Sequence, residues 1–183
     1  MTGVQPGDII AFWQAAGREK WYAKDDTFDA ELRLRFEAAH HAAARGELAA
    51  WLDNWQGSLA LLLLLDQVPR NIFRGSAHSY ATDPLARSLA EVALQAGHDK
   101  QAPAELRVFF YLPFEHSEAL ADQDHCVALC EALTEDGGDA AKWALMHRDI
   151  IRRFGRFPHR NRALGRMTTA EEQAYLDEGG FGG

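Results

Sequence analysis

Cysteine is scarce: only Cys126 and Cys130 occur among the 183 residues, with no further Cys or His at metal-site spacing. That excludes a disulfide-stapled scaffold and a zinc ribbon, and two cysteines four apart on a helix read as reduced, partly buried thiols sharing one face. Alternating β-branched runs are almost missing while Ala, Leu, Glu and Arg dominate, so no sheet is expected. The longest aliphatic run, Leu59 to Leu65, is far too short to cross a bilayer, and no basic segment followed by an apolar stretch opens the chain. A cytoplasmic protein without a membrane partner is the expectation. The net charge of −8 lacks the basic footprint that nucleic acid requires. Neither a phosphate-cradling glycine loop, a nucleophile elbow nor a dinucleotide fingerprint is present, which argues against covalent serine or cysteine catalysis and names no cofactor.

What is present is an ordinary globular composition, 47% hydrophobic and 25% charged, enough for one core over a single domain spanning residues 1–183. The periodicity predicts an all-α chain. Helices are expected from about Gly7 to Ala16, from a cap at Asp26 to Gly46, and from Leu48 to Gln67, the last apolar all round and therefore central. Further helices are predicted from Asp83 to Ala96, with Asp83 as cap and Pro84 in the first turn, from Ala104 to Tyr111, and from a Ser117 cap to Leu133. After a turn at Gly137-Gly138, Asp139 can cap a helix from Ala140 to Phe154. A capping box at Thr169 and Glu172 starts a short terminal helix, and the glycine-rich segment 179–183 is expected to fray. This is an array of helical hairpins with 7 to 9 helices.

Two stretches nearly echo each other. Pro69-Arg70-Asn71-Ile72-Phe73-Arg74-Gly75 and Pro158-His159-Arg160-Asn161-Arg162-Ala163-Leu164-Gly165 each carry Arg-Asn-x-x-x-Gly behind a proline. Each predicts a helix-exit loop, with a proline that ends the helix, a planar donor fork and a glycine free to take positive φ. The two loops could face one site, or the arginines could merely cap the preceding helices. Asp66 follows the leucine run, where a carboxylate needs a partner, and Arg70 is the nearest cation. His116, Glu118 and Asp122 form a second polar group, weak as a metal signal, in which His116 is least explained by folding. Residues 147 to 166 hold seven arginines and one acid, a basic island that either gathers a small anion or pairs internally with the acidic remainder.

Three segments in this order, Leu-Leu-Asp66-Gln67-Val-Pro69-Arg70-Asn71-Ile-Phe-Arg74-Gly75, Tyr111-Leu-Pro-Phe-Glu-His116-Ser117-Glu118 and Arg153-Phe-Gly-Arg156-Phe-Pro-His159-Arg160-Asn161, resemble the bacterial "domain of unknown function 924" family. The likeness runs from Phe12-Trp13 and Lys20-Trp21-Tyr22 to Gly165-Arg166-Met167-Thr168, with Tyr22 and Val68 standing where the family more often has Trp and an aromatic residue. The resemblance implies a tetratricopeptide-like right-handed superhelix and no established activity.

The functional expectation is a small-molecule enzyme or sensor for an anionic carboxylate or phosphate ligand, with acid/base hydrolase or lyase chemistry. Arg70, Asn71, Arg74, Arg156, Arg160 and Asn161 would bind the anion, His116 or His159 would move a proton, and Asp66 and Glu118 would orient them. The alternative is a tetratricopeptide-like module clamping an acidic peptide or a C-terminal carboxylate. A third reading makes these motifs the polar core of the fold alone.

Overall fold

The computed structural model describes residues 3–133 and 139–183, so the turn expected at Gly137-Gly138 lies outside the described residues. Every regular element among the described residues is helical. The helices are α1 (Pro6–Ala16), α2 (Arg18–Trp21), α3 (Asp26–Ala44), α4 (Trp55–Leu62), α5 (Val68–Ile72), α6 (Asp83–Gln95), α7 (His98–Gln101), α8 (Ala104–Arg107), α9 (Leu112–Glu115), α10 (Leu120–Glu131), α11 (Ala140–Phe154) and α12 (Ala170–Asp177). Seven of these are eight or more residues long, and none is long and apolar enough to cross a membrane.

Local chemistry sets several boundaries. Asp25, one residue before the expected cap, accepts from the backbone N–H groups of Thr27 and Phe28 to start α3. Phe28, Leu32, Phe36, Ala39 and Ala43 then form its buried face at helical spacing. The helix expected from Leu48 to Gln67 is interrupted at Asn54, whose side-chain oxygen accepts from Gly57 N and begins α4, while Trp51 stays on a separate 3-10 turn, Ala49–Asp53. Gly57 is required there, because a Cβ would lie 1.9 Å from the Trp51 carbonyl oxygen. Thr82, not Asp83, is the N-cap position of α6. Ser117 does not cap α10 directly; α10 begins at Leu120, and Ser117 Oγ accepts from Ala119 N while donating to Asp122. Thr169 and Glu172 form the capping box of α12.

The leucine run is the centre of the core, with Leu59 through Leu65 all 2% exposed or less. Pro69 does not end this helix. A π turn over Leu63–Gln67 carries the chain from α4 into α5, with the Val68 N–H donating to the Leu63 carbonyl. Proline lacks an N–H and its ring crowds the preceding turn, so widening that turn lets the helix pass through it. The carbonyls left over are taken by side chains. Leu64 O accepts from His40 Nδ1 at 2.8 Å, Leu65 O from Thr82 Oγ1 at 2.5 Å, Asp66 O from Arg70 at 2.9 Å and Gln67 O from Asn71 Nδ2 at 3.1 Å. Cys126 and Cys130 are buried free thiols with their sulfurs 3.8 Å apart.

α1 packs on α4, α3 on α5, and α10 on both α9 and α11. Most buried apolar residues belong to one cluster around the leucine run; Ile150, Ile151 and Phe157 form a smaller one with half-buried Met146, Phe154, Tyr175 and Phe181. The polar residues of the motifs are gathered near Phe157.

Candidate functional site

The π turn places Asp66 at the inner end of the leucine helix, 1% exposed. His116, at the end of α9, brings Nδ1 to 2.7 Å from Asp66 Oδ1, and Gln67 donates to Oδ2 at 2.6 Å. Arg70 lies 3.5 Å from Asp66 and makes a two-pronged pair with Asp83 at 2.8 and 3.0 Å. Arg160 reaches the same Asp83 at 3.3 Å, and its guanidinium lies 4.7 Å from the Tyr80 ring centre and 4.4 Å from that of Phe157. The two echoing motifs thus meet through their arginines on one carboxylate.

Burial opposes charge on Asp66, yet the His116 and Arg70 sides and the hydrogen bonds from His116 and Gln67 outweigh it and hold the carboxyl well below its usual range. Burial, then Arg70, push His116 down against the pull of Asp66. An ionised carboxylate only accepts, so the neutral His116 ring carries its hydrogen on Nδ1 and keeps Nε2 as a lone-pair base. Behind this pair stands a second one. Burial and the nearby Asp66 charge push Glu115 up to about 8, and His147 Nδ1, which donates to Trp143 O at 2.9 Å, lies 3.4 Å from Glu115. Burial holds His147 and His159 down to about 3, with Arg160 adding to the effect on His159.

These shifts set a pH profile with a maximum near pH 6.5. Between its ordinary 4.5 and about 8, Glu115 keeps a proton when folded that the unfolded chain releases, so stability falls as pH rises, by about 1.4 kcal/mol per pH unit above the histidine range. His147 and His159 act in the opposite sense: from 6.5 down to about 3 the unfolded chain takes up protons that the folded chain refuses, so stability falls on acidification. Urea unfolding at intervals from pH 5 to 8.5 checks this. Glu115→Gln should flatten the alkaline limb, and an unchanged limb would show that Glu115 is ionised in the fold.

The remaining expected site residues lie elsewhere. Arg74 pairs with Asp29 at 2.7 Å and also donates to Asn71, whose own amide caps Gln67, so this arginine and asparagine hold the loop. Arg156 forms a two-pronged pair with Glu172 at 2.6 and 2.8 Å, while Asn161 donates to Glu172 and accepts from Arg166. Glu118 binds Arg166 at 2.7 and 3.0 Å and accepts from Phe157 N at 2.8 Å. Asp122 is held by Arg87 and Ser117. Most of the island is therefore paired internally, with Arg148 and Arg152 on Asp124 and Arg153 on Glu171 as well.

Of the proposed ligand-binding residues, only Arg70 and Arg160 join Asp66 and His116, with His159 adjacent. The sequence reading passed over Asp83, Tyr80, Glu115 and His147. Asp83 was assigned to capping, and no local pattern ties Tyr80 to Arg160. Glu115 and His147 did carry a signal, since each stands inside a polar motif. The segment 179–183, expected to fray, folds back, with the Phe181 ring centre 4.6 Å from that of His147 and 5.1 Å from that of His159.

Two open surface grooves lie away from this cluster, one along α3 at Ala30, Leu34 and His41, the other between the α1 and α3 faces at Ala11 and Phe36. They carry none of the motif residues.

Comparison with known proteins finds no match among the curated ones. Among solved structures, the chain is similar to a protein of unknown function from Agrobacterium tumefaciens, at 54% identity and a TM-score of 0.91, over 94% of this chain and 97% of that one. A family model described as bacterial protein of unknown function, DUF924, matches residues 9–180, the stretch that holds every residue of the cluster, and the chain belongs to that family.

Proposed function

We propose that this chain is an acid/base enzyme acting on a small anionic molecule, with Arg160 holding the anion, His116 as general base and Asp66 fixing the imidazole. The observation that carries the reading is Arg160 itself. It is 6% exposed, yet of the five N–H groups of a guanidinium it spends one, on Asp83, and its Nε is buried without a partner. A buried donor without an acceptor is costly, and an oxyanion supplies the acceptor. Next to it, no described residue bonds His116 Nε2. Burial and Arg70 lower Arg160 to about 10, which keeps it cationic at neutral pH.

Such a pair suits proton abstraction from a substrate carbon, or from water during hydrolysis. The arginines that could have lined an extended acidic peptide, Arg74, Arg156 and Arg166, are committed to carboxylates of the chain, and this favours a small ligand.

A thermal-shift panel of small carboxylates and phosphate monoesters tests the reading. At least one class should raise the melting temperature of the wild type. Arg160→Lys keeps the charge but loses the planar fork, and affinity should fall roughly 10- to 100-fold, the scale of a charge-assisted hydrogen bond. Arg156→Lys should lower stability and leave the ligand response unchanged. Equal binding by wild type and Arg160→Lys, or no response to any anion, would overturn the proposal.

A further inference from the structure

Residues 179–183 are four glycines around one phenylalanine, Phe181. The segment doubles back over α12: Gly180 N donates to Tyr175 O at 2.9 Å and Phe181 N to Tyr175 Oη at 2.9 Å. Gly180 permits the reversal, because a Cβ there would lie 2.5 Å from the Tyr175 carbonyl oxygen. The Phe181 ring then meets His147 and His159 edge to face, and a Cβ on Gly183 would come within 3.0 Å of the His159 ring. Beneath the segment lies His159 Nδ1, buried without a hydrogen-bond partner.

An aromatic ring that serves only packing is expected over apolar neighbours; here it covers two imidazoles beside the guanidinium of Arg160. Its hold is small. Phe181 is half-buried, the latch is one hydrogen bond to a tyrosine hydroxyl, and glycine gains more backbone freedom on release than any other residue. We propose that the segment 179–183 is a strap over the anion site, with Phe181 as its plug, and that it lifts from His147 and His159 to admit the ligand. This rests on the site assignment made above for Arg160 and His116, and adds a closure step to it.

Diethyl pyrocarbonate labels neutral imidazole where the ring is accessible, so the strap can be read in the ligand-free protein by mass spectrometry. His78 and His125, both exposed, serve as internal references. In the wild type His147 and His159 should label far more slowly than these two. Tyr175→Phe keeps the ring packing and removes the latch; labelling of His159 should rise about fivefold, the opening gained on losing a hydrogen bond of about 1 kcal/mol. Gly180→Ala forces the backbone off Tyr175 and Phe181→Ala removes the plug, and both should raise labelling further, with urea midpoints verifying that each variant is folded. Wild-type rates in all three variants, or reference rates at His159 in the wild type, would overturn the strap. Propionate and inorganic phosphate are then added to Gly180→Ala. Protection of His159 supports a strap over an anion site; fast labelling with no protection by either leaves the strap standing and overturns the anion assignment alone.

Discussion

Asp66→Ala should destabilise the protein by about 3–5 kcal/mol, the cost of removing one partner from a buried charged network. The carboxylate is 1% exposed and receives His116 Nδ1, Gln67 Nε2 and the Arg70 charge. Without it, the His116 and Gln67 donors lose their acceptor and Arg70 keeps only Asp83 as a carboxylate partner. Asp66→Asn retains the shape and one acceptor, so it should cost less and separates the charge from the packing. Urea midpoints at pH 7 measure both. Acid should narrow the gap between wild type and Asp66→Asn: the native carboxyl is depressed, so its contribution is complete above its ordinary value of 3.8 and is lost as pH falls through the folded value. A midpoint for Asp66→Ala equal to that of the wild type would mean that the carboxylate organises nothing.

Leu62→Ala and Leu63→Ala should each cost about 2–5 kcal/mol. Leu62 is 1% exposed and Leu63 0%, and both lie in the helix that α1, α3 and α6 pack around, so neither cavity opens to solvent or is easily filled by a neighbour. The spread depends on relaxation: Leu63 begins the π turn, whose wider winding gives it more room to collapse than Leu62, which closes α4. The larger loss is therefore expected at Leu62. Denaturant unfolding of the two variants checks the size and the order, and a neutral result for either would remove this helix from the centre of the core.

The leucine run, the face of α3 and the bounds of α11 were legible because each is local. An apolar set at helical spacing, or a cap followed by a clean period, needs no distant information. Asp139 as the residue before α11 and the Thr169–Glu172 box before α12 were found in this way. The convergence of Arg70 and Arg160 was legible only as an echo between two motifs. What joins them, Asp83, was hidden by a sufficient local explanation, since an aspartate ahead of a proline at a helix start already satisfies capping rules. Arg156 was misjudged for the opposite reason: its partner Glu172 stands 16 residues on and was already accounted for as the closing member of the capping box. The path of the helix through Pro69 was not readable either, because it depends on His40 and Thr82, which are remote in sequence and take up the freed carbonyls.

The π turn makes the length of this segment part of the catalytic geometry. Removing one residue between Leu63 and Gln67 would turn the wide turn into an ordinary α turn and rotate all that follows by about 100°. The leucine block could absorb such a rotation, because it is buried on every side. Arg70 could not, since it must face Asp66 and Asp83 together. Chain length here is fixed by the polar end of the helix and not by its core: a deletion would leave a protein with an intact apolar centre and a scrambled site, whereas a leucine exchanged for methionine at the same place would leave both in register.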